Sequence, residues 1–215
     1  MNGITVPMAL VDFLPVVLFF IAAVILQRDL YNKMVKGAFA LLAAGSIMVL
    51  ISGGYKALWK ILYACNVCDY PALDGAFFPM QGPGFLLVFI SLLALLTRKK
   101  KDGIPLCAAG MVPVYESNLP FLALQIVGNG GMQWCLFALA KRMKKPAACA
   151  LFVVAFVGMM GMGYLSAKFD DSSAMHWLAQ VVNIVSQTAL LAGVLLLHKA
   201  GLARPDALTK GEHAA

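Results

Sequence analysis

The chain has 215 residues, 61% of them hydrophobic and 13% charged, with a formal charge of +7 and a mean hydropathy of +0.83. A soluble domain carries roughly 25% charged residues, so a soluble globular enzyme is excluded, and so is a separate catalytic, nucleotide-binding or DNA-binding domain. The basic residues sit in short clusters between apolar runs, a membrane-topology pattern and not a nucleic-acid footprint.

Apolar stretches cover residues 6–26, 37–55, 76–97, 104–140, 147–167 and 175–197. The first has no basic residue before it and carries Asp12 as its first charge, so it lacks the positive leader of a signal peptide and reads as a retained span. The fourth is too long for one helix, and positive charge decides how it crosses, because Lys and Arg in short loops stay inside. If 104–140 crosses twice, the inner segments hold 14 of 17 basic residues, and only Lys56, Lys60 and Lys168 stay outside. If it crosses once, the split becomes 8 against 9 and the asymmetry vanishes. The expectation is therefore an all-α, polytopic bundle of seven transmembrane helices, amino terminus outside and carboxyl terminus inside, with a turn at Glu116-Ser117-Asn118-Leu119-Pro120. Segment 104–117 is short: 14 residues at about 1.5 Å each give about 21 Å against about 30 Å of hydrocarbon. A re-entrant hairpin there satisfies the same charges.

An internal repeat accompanies this topology. Lys33-Met34-Val35-Lys36-Gly37-Ala38, with Gly54-Tyr55 at the end of its span, matches Arg142-Met143-Lys144-Lys145-Pro146-Ala147 with Gly163-Tyr164, at one offset of 109. Val6-Pro7, Asp12 and Leu14-Pro15 pair with Val112-Pro113, Glu116 and Leu119-Pro120 once a gap is allowed. The organisation is then 3+1+3 within one integral membrane domain: a first triplet over 1–97, a linker span over 104–117, a second triplet over 118–199, and a cytoplasmic tail over 200–215. In architecture alone this resembles the SWEET and PQ-loop carriers, which implies a substrate site near the repeat interface at mid-membrane. Their Pro-Gln dipeptide is absent, since Val16 follows Pro15 and Phe121 follows Pro120.

Polar residues inside the spans mark the candidate site. Asp12 and Glu116 each cost about 2.5 to 3.5 kcal/mol in the bilayer, which a proton-coupled or cation-binding role in a cavity would explain. Alternatively, Asp12 reaches headgroup water and Glu116 caps a turn. His176, Gln180, Asn183 and Gln187 step by 4, 3 and 4 along one face of the last helix, and Asn118, Gln125, Asn129 and Gln133 step by 7, 4 and 4. Two such amide stripes either line a wet cavity or act as interhelical packing glue. Pro15, Pro113 and Pro120 are expected to break helices within spans, and Pro79-Met80-Gln81-Gly82-Pro83-Gly84 to interrupt the start of the third, making Pro15, Pro120, Gln81 and Gly82 gating candidates. The alternative starts the third span after Gly84. Gly158, Gly161 and Gly163 read as close-packing positions.

Cys65-Asn66-Val67-Cys68 falls outside in this topology, as a local disulfide or two free thiols and not a metal site, because a lone Cys-x-x-Cys is a weak zinc signal. Cys107, Cys135 and Cys149 fall within spans as small apolar residues. Tyr55 to Tyr63, with Lys56, Trp59 and Lys60, reads as a helix extension lying at the outer interface.

The leading functional expectation is a carrier for a small polar or amphipathic molecule, with Asp12 as coupling or gating carboxylate and the amides as ligand wall. The alternatives are an intramembrane lipid-modifying enzyme using Asp12, Glu116 and His176, and a seven-helix sensor or assembly subunit whose short tail requires a separate partner. No nucleophile is visibly paired with a base, and the last span has no lysine before Lys199 for a retinal-type Schiff base. The partners called for are the lipid bilayer and a small-molecule ligand, with a homo-oligomer or membrane partner left open; no cofactor is named. After mild reduction, a membrane-impermeant maleimide added to intact cells is expected to label Cys65 or Cys68. Labelling only after permeabilisation would reverse the assigned orientation.

Overall fold

The computed structural model describes residues 5–97, 119–167 and 173–204. Among these residues the fold is entirely helical: α1 (Val6–Val11), α2 (Phe13–Leu30), α3 (Lys36–Ala64), α4 (Pro71–Gly75), α5 (Phe77–Thr97), α6 (Leu119–Arg142), α7 (Pro146–Ala167) and α8 (Ser173–Lys199), with a 3-10 turn at Tyr31–Lys33. Helix is the expected answer in lipid, where every backbone N–H and C=O needs a partner within its own segment.

Local chemistry sets the helix boundaries. Pro15 has no N–H for the carbonyl of Val11, and the break between α1 and α2 falls at Asp12. Three helices end in Schellman turns with a left-handed residue just past the end: Asn66 after α3, Lys144 after α6 and Gly201 after α8. In each, the next residue's N–H reaches back to close the last turn, as Val67 does to Leu62 at 3.0 Å.

Two proline expectations are corrected. Pro120 is the second residue of α6, where a missing N–H costs no helical bond, so it starts a helix and breaks none. The run from Pro79 to Gly84 is helical throughout and α5 begins at Phe77, so neither an unwound segment nor a start after Gly84 is seen. Pro79 lies in the first turn, leaving Pro83 as the proline inside the helix. The glycines of this run serve packing. A Cβ on Gly82 would lie 2.5 Å from the carbonyl oxygen of Phe121, and one on Gly84 would lie 3.0 Å from that of Gly45. Thus α5 is wedged between α3 and α6 at near-backbone contact. Pro113 and Cys107, with segment 104–117 and its turn, lie outside the described residues.

Each long helix packs on its neighbour in the order α2, α3, α5, α6, α7, α8, and α8 returns to α2, closing a six-helix ring. Two of these junctions are parallel. Gly82 meets Phe121 near the starts of α5 and α6, and Arg142 donates to the carbonyl of Leu96 at their ends. Likewise Gln180 meets Met8 near the starts of α8 and α1, and His198 meets Asp29 at the ends of α8 and α2. This arrangement brings Arg28, Lys33, Lys36, Lys141, Arg142, Lys144, Lys145, Lys199 and Arg204 to one end, leaving Lys56 and Lys60 as the remaining basic residues among those described.

The two halves of the ring differ. Toward the basic end, Leu30, Leu42, Leu92, Leu136, Phe152 and Leu197 form a closely packed apolar core. There the Ser91 hydroxyl donates to the carbonyl of Ala38, and Ser186 does the same to Ala155, both at 2.7 Å. Toward the other end the centre is open. The outer surface is apolar at many positions, Phe20, Ile47, Val127, Val157 and Val185 among them.

Five helical stretches of 23 to 29 residues are long and apolar enough to cross a membrane: Val6–Lys33, Lys36–Ala64, Pro71–Thr97, Pro120–Arg142 and Ala174–Lys199. A shorter apolar helix, Pro146–Met162, accompanies them. The chain is a multi-pass helical membrane protein.

The close approach at α5 predicts opposite effects for two Gly→Ala changes. At Gly128 the new Cβ would lie 2.4 Å from the backbone nitrogen of Leu86, and thermal unfolding in detergent should show a loss of about 1–3 kcal/mol. At Gly54 nothing lies within 4 Å, and the same change should be neutral or stabilise by up to about 1 kcal/mol.

Candidate functional site

The open half of the ring encloses a cavity of about 550 Å³. That volume is within the range of small-molecule sites. Its floor is the edge-on pair Phe19 and Phe85, with ring centroids 5.9 Å apart, and both rings also belong to the packed core below. The walls are unequal. On α2 and α3 the lower lining is apolar, with Pro15, Val16, Val49 and Leu50, while α5, α6 and α8 contribute amides and α7 contributes methionines.

Of the residues singled out by sequence, Asp12, Gln125, Asn129, His176, Gln180, Asn183 and Gln187 all line this cavity, as do Pro15 and Gln81. The stepped spacing explains the convergence, because residues three and four apart share one helix face and the ring turns both faces inward. Gln133 is buried but lies outside the cavity lining, one turn further toward the packed half. Gly82 contacts α6 and Pro120 starts α6, so neither lines the cavity. Glu116 and Asn118 lie outside the described residues.

Asp12 brings its countercharge with it. Its carboxylate is ion-paired with Lys60 of α3 and accepts a hydrogen bond from the Gln180 amide, and both charged side chains are about 15% exposed. The helix extension expected over Tyr55 to Tyr63 is present, and it carries Lys60 to Asp12. Because α3 runs unbroken to Ala64, its last turns present Lys56, Trp59 and Lys60 to the cavity. Lys56 pairs with Asp74 of α4 at 3.8 Å and lies 4.3 Å from the centre of the Phe77 ring. Trp59 donates to Asp69 at 3.0 Å, which pins the loop between α3 and α4 beside the cavity. The four-residue step from Lys56 to Lys60 puts both on one face of the expected helix extension, and that this face turns to the cavity depends on how the ring packs.

The amides are unevenly satisfied. Gln180 donates to the carbonyl of Met8 at 3.0 Å and to Asp12, which fixes its NH₂ end and leaves its oxygen as the free acceptor. Asn129 donates to the sulfur of Met159. The side-chain oxygens of Gln81, Gln125, Asn129, Gln180 and Gln187 are buried and have no hydrogen-bond partner among the described residues, and the same holds for Gln133 outside the cavity lining. Such an orphan acceptor costs about 1–3 kcal/mol.

A second polar cluster, unforeseen from sequence, joins α2 to α8 at the basic end. The side chain of Asp29 is fully buried and lies 2.8 Å from Nδ1 of His198, while Arg28 is 3.2 Å from Nε2 of the same ring. An arginine donates only, so this geometry calls for the tautomer with the proton on Nδ1, directed at Asp29. Lys33 adds a bond to the carbonyl of Leu202. Asp29 stood among loop charges in sequence and was passed over for that reason.

Cys65 and Cys68 are free and exposed, Cys135 is buried and Cys149 half-buried. Gly158 packs against Ser186, with Gly161 beside Val182, as expected for close-packing positions. Among the described residues, no three His, Cys, Asp or Glu side chains gather as a metal site. No protein-family model matches the chain, and neither a curated protein nor a solved structure is similar to it.

The ion pair predicts a double-mutant cycle. Lys60→Met alone strands a buried carboxylate and should cost about 3 kcal/mol in detergent unfolding. Adding Asp12→Asn should recover most of that loss. Additive losses would mean that the two residues act independently.

Proposed function

We propose that the chain is a carrier for a small polar or amphipathic molecule, which binds in the central cavity between two three-helix repeats. The observation that carries this reading is that five amide residues of α5, α6 and α8 whose buried oxygens lack a partner all line one cavity of ligand size. Buried acceptors of this kind call for a donor brought from outside the protein.

The ring supports the 3+1+3 organisation. Helices α2, α3 and α5 form one triplet and α6, α7 and α8 the other, and the parallel junctions α5 with α6 and α8 with α2 exchange under a two-fold rotation. In each triplet a buried serine of the third helix is bonded to a carbonyl of the second. That α5 ends and α6 begins at opposite ends of the bundle supports a fourth crossing over 104–117. The basic end is assigned to the inside by the positive-inside rule.

On this reading the cavity faces outward, and the Phe19–Phe85 floor with the core beneath it is the inner barrier. Opening inward requires the triplets to move against each other at the α2–α8 junction. That junction is bridged at the cavity end by Asp12 and Gln180 and at the basic end by Asp29 and His198. Asp12 is then a gating carboxylate, since its contacts span α1–α2, α3 and α8.

The test is uptake by proteoliposomes of radiolabelled uridine, myo-inositol, L-glutamate and spermidine. Saturable uptake of one compound is expected, and the neutral pair Asp12→Asn with Lys60→Gln should lower it at least tenfold in folded protein. Unchanged uptake would remove Asp12 from gating. Turnover of a lipid in detergent, with no sealed compartment, would replace the carrier by an enzyme.

A further inference from the structure

Resting on the reading of the cavity as a ligand site, we infer the class of ligand it takes: an uncharged molecule that presents hydroxyl or N–H donors along one edge and an apolar face on the other.

The charge follows from the state of the ionic groups. Among the described residues that line the cavity there are two lysines and two carboxylates, and they are paired off, Lys60 with Asp12 and Lys56 with Asp74. A ligand carboxylate or phosphate would have to take a lysine from its partner, and a ligand cation would have to take a carboxylate. At the Lys60–Asp12 pair, whose side chains are about 15% exposed, either exchange leaves a largely buried charge without compensation, which desolvation penalises heavily.

Donor chemistry follows from the amides. What the protein leaves without a partner is acceptor capacity, in the buried oxygens of Gln81, Gln125, Asn129, Gln180 and Gln187, residues that all line the cavity. Two of these residues are deeply buried, Asn129 at 1% and Gln180 at 5% exposure. Their NH₂ ends are engaged with Met159 and with Met8 and Asp12, so the orientation of each oxygen is set by its own network. A carbonyl oxygen accepts and never donates, so the complementary ligand edge carries donors.

The apolar face follows from the opposite wall. Val16 and Phe19 of α2 and Val49 and Leu50 of α3 lie across the ring from the amides of α6, and Phe85 closes the floor. Against that wall a ligand polar all round would lose water without replacing its bonds.

Purified full-length protein in detergent would be titrated calorimetrically with uridine and thymidine as uncharged probes and with L-glutamate and spermidine as charged ones. Tighter binding of an uncharged probe is expected, and Gln125→Leu and Asn129→Leu should each weaken it about three- to tenfold. The same two variants should leave the thermal midpoint of the ligand-free protein unchanged or raise it, because each removes an unsatisfied buried acceptor. A falling midpoint together with unaltered affinity would identify the amides as interhelical glue and overturn the inference. Gln187→Leu, on another helix, repeats the measurement should Asn129→Leu fail to fold. Preferential binding of glutamate or spermidine, or no binding of either uncharged probe, would overturn it as well. Binding of an uncharged probe without uptake into proteoliposomes would sink the carrier reading and leave the ligand class standing. Uptake restricted to a charged probe would do the reverse.

Discussion

A carboxylate held inside a bilayer persists only with its countercharge and hydrogen-bond donors beside it, and Asp12 meets that condition by drawing three parts of the chain together. Lys60 reaches it from the end of α3, and Gln180 reaches it from α8 while also bonding the carbonyl of Met8. The break at Pro15 puts Asp12 at the joint of α1 and α2, where the chain turns toward the cavity. Around this joint the helices diverge enough to leave a hollow. At the far end glycine, alanine and leucine let them close completely.

This division into a packed half and a hollow half is what makes a site of the polar residues. In the hollow half the residues Gln81, Gln125, Asn129, Gln180 and Gln187 line one shared space. The edge-on rings of Phe19 and Phe85 mark the boundary, belonging to the cavity lining above and to the core below. The α2–α8 junction is bridged by polar contacts to a carboxylate at both of its ends, unlike the α5–α6 junction, where glycine packing dominates. Close-packed backbones resist sliding.

Much of the site was legible before any coordinates, because helical periodicity survives in any helical fold. His176, Gln180, Asn183 and Gln187 had to share a face whatever packed against them, and so did Gln125, Asn129 and Gln133. Proline was harder to read, since its effect depends on its distance from the helix start. Pro15 breaks a helix, whereas Pro120 begins one and the run from Pro79 to Gly84 stays helical. The helix extension carrying Lys56 and Lys60 was legible, but their pairing with Asp74 and Asp12 was not, since it depends on how other helices pack against α3.

From sequence alone follow the membrane environment, the helical class and the inward stripes, because each depends on composition or on a period of 3.6 residues and not on distant partners. Tertiary structure alone decided which stripe residues meet at the cavity, that Asp12 is paired with Lys60, and that Asp29 is buried against His198. These are contacts between residues 48, 168 and 169 positions apart, and no local rule reaches that far. Only the closure of the ring brings such partners together, and at the closing α2–α8 junction the bridges are polar.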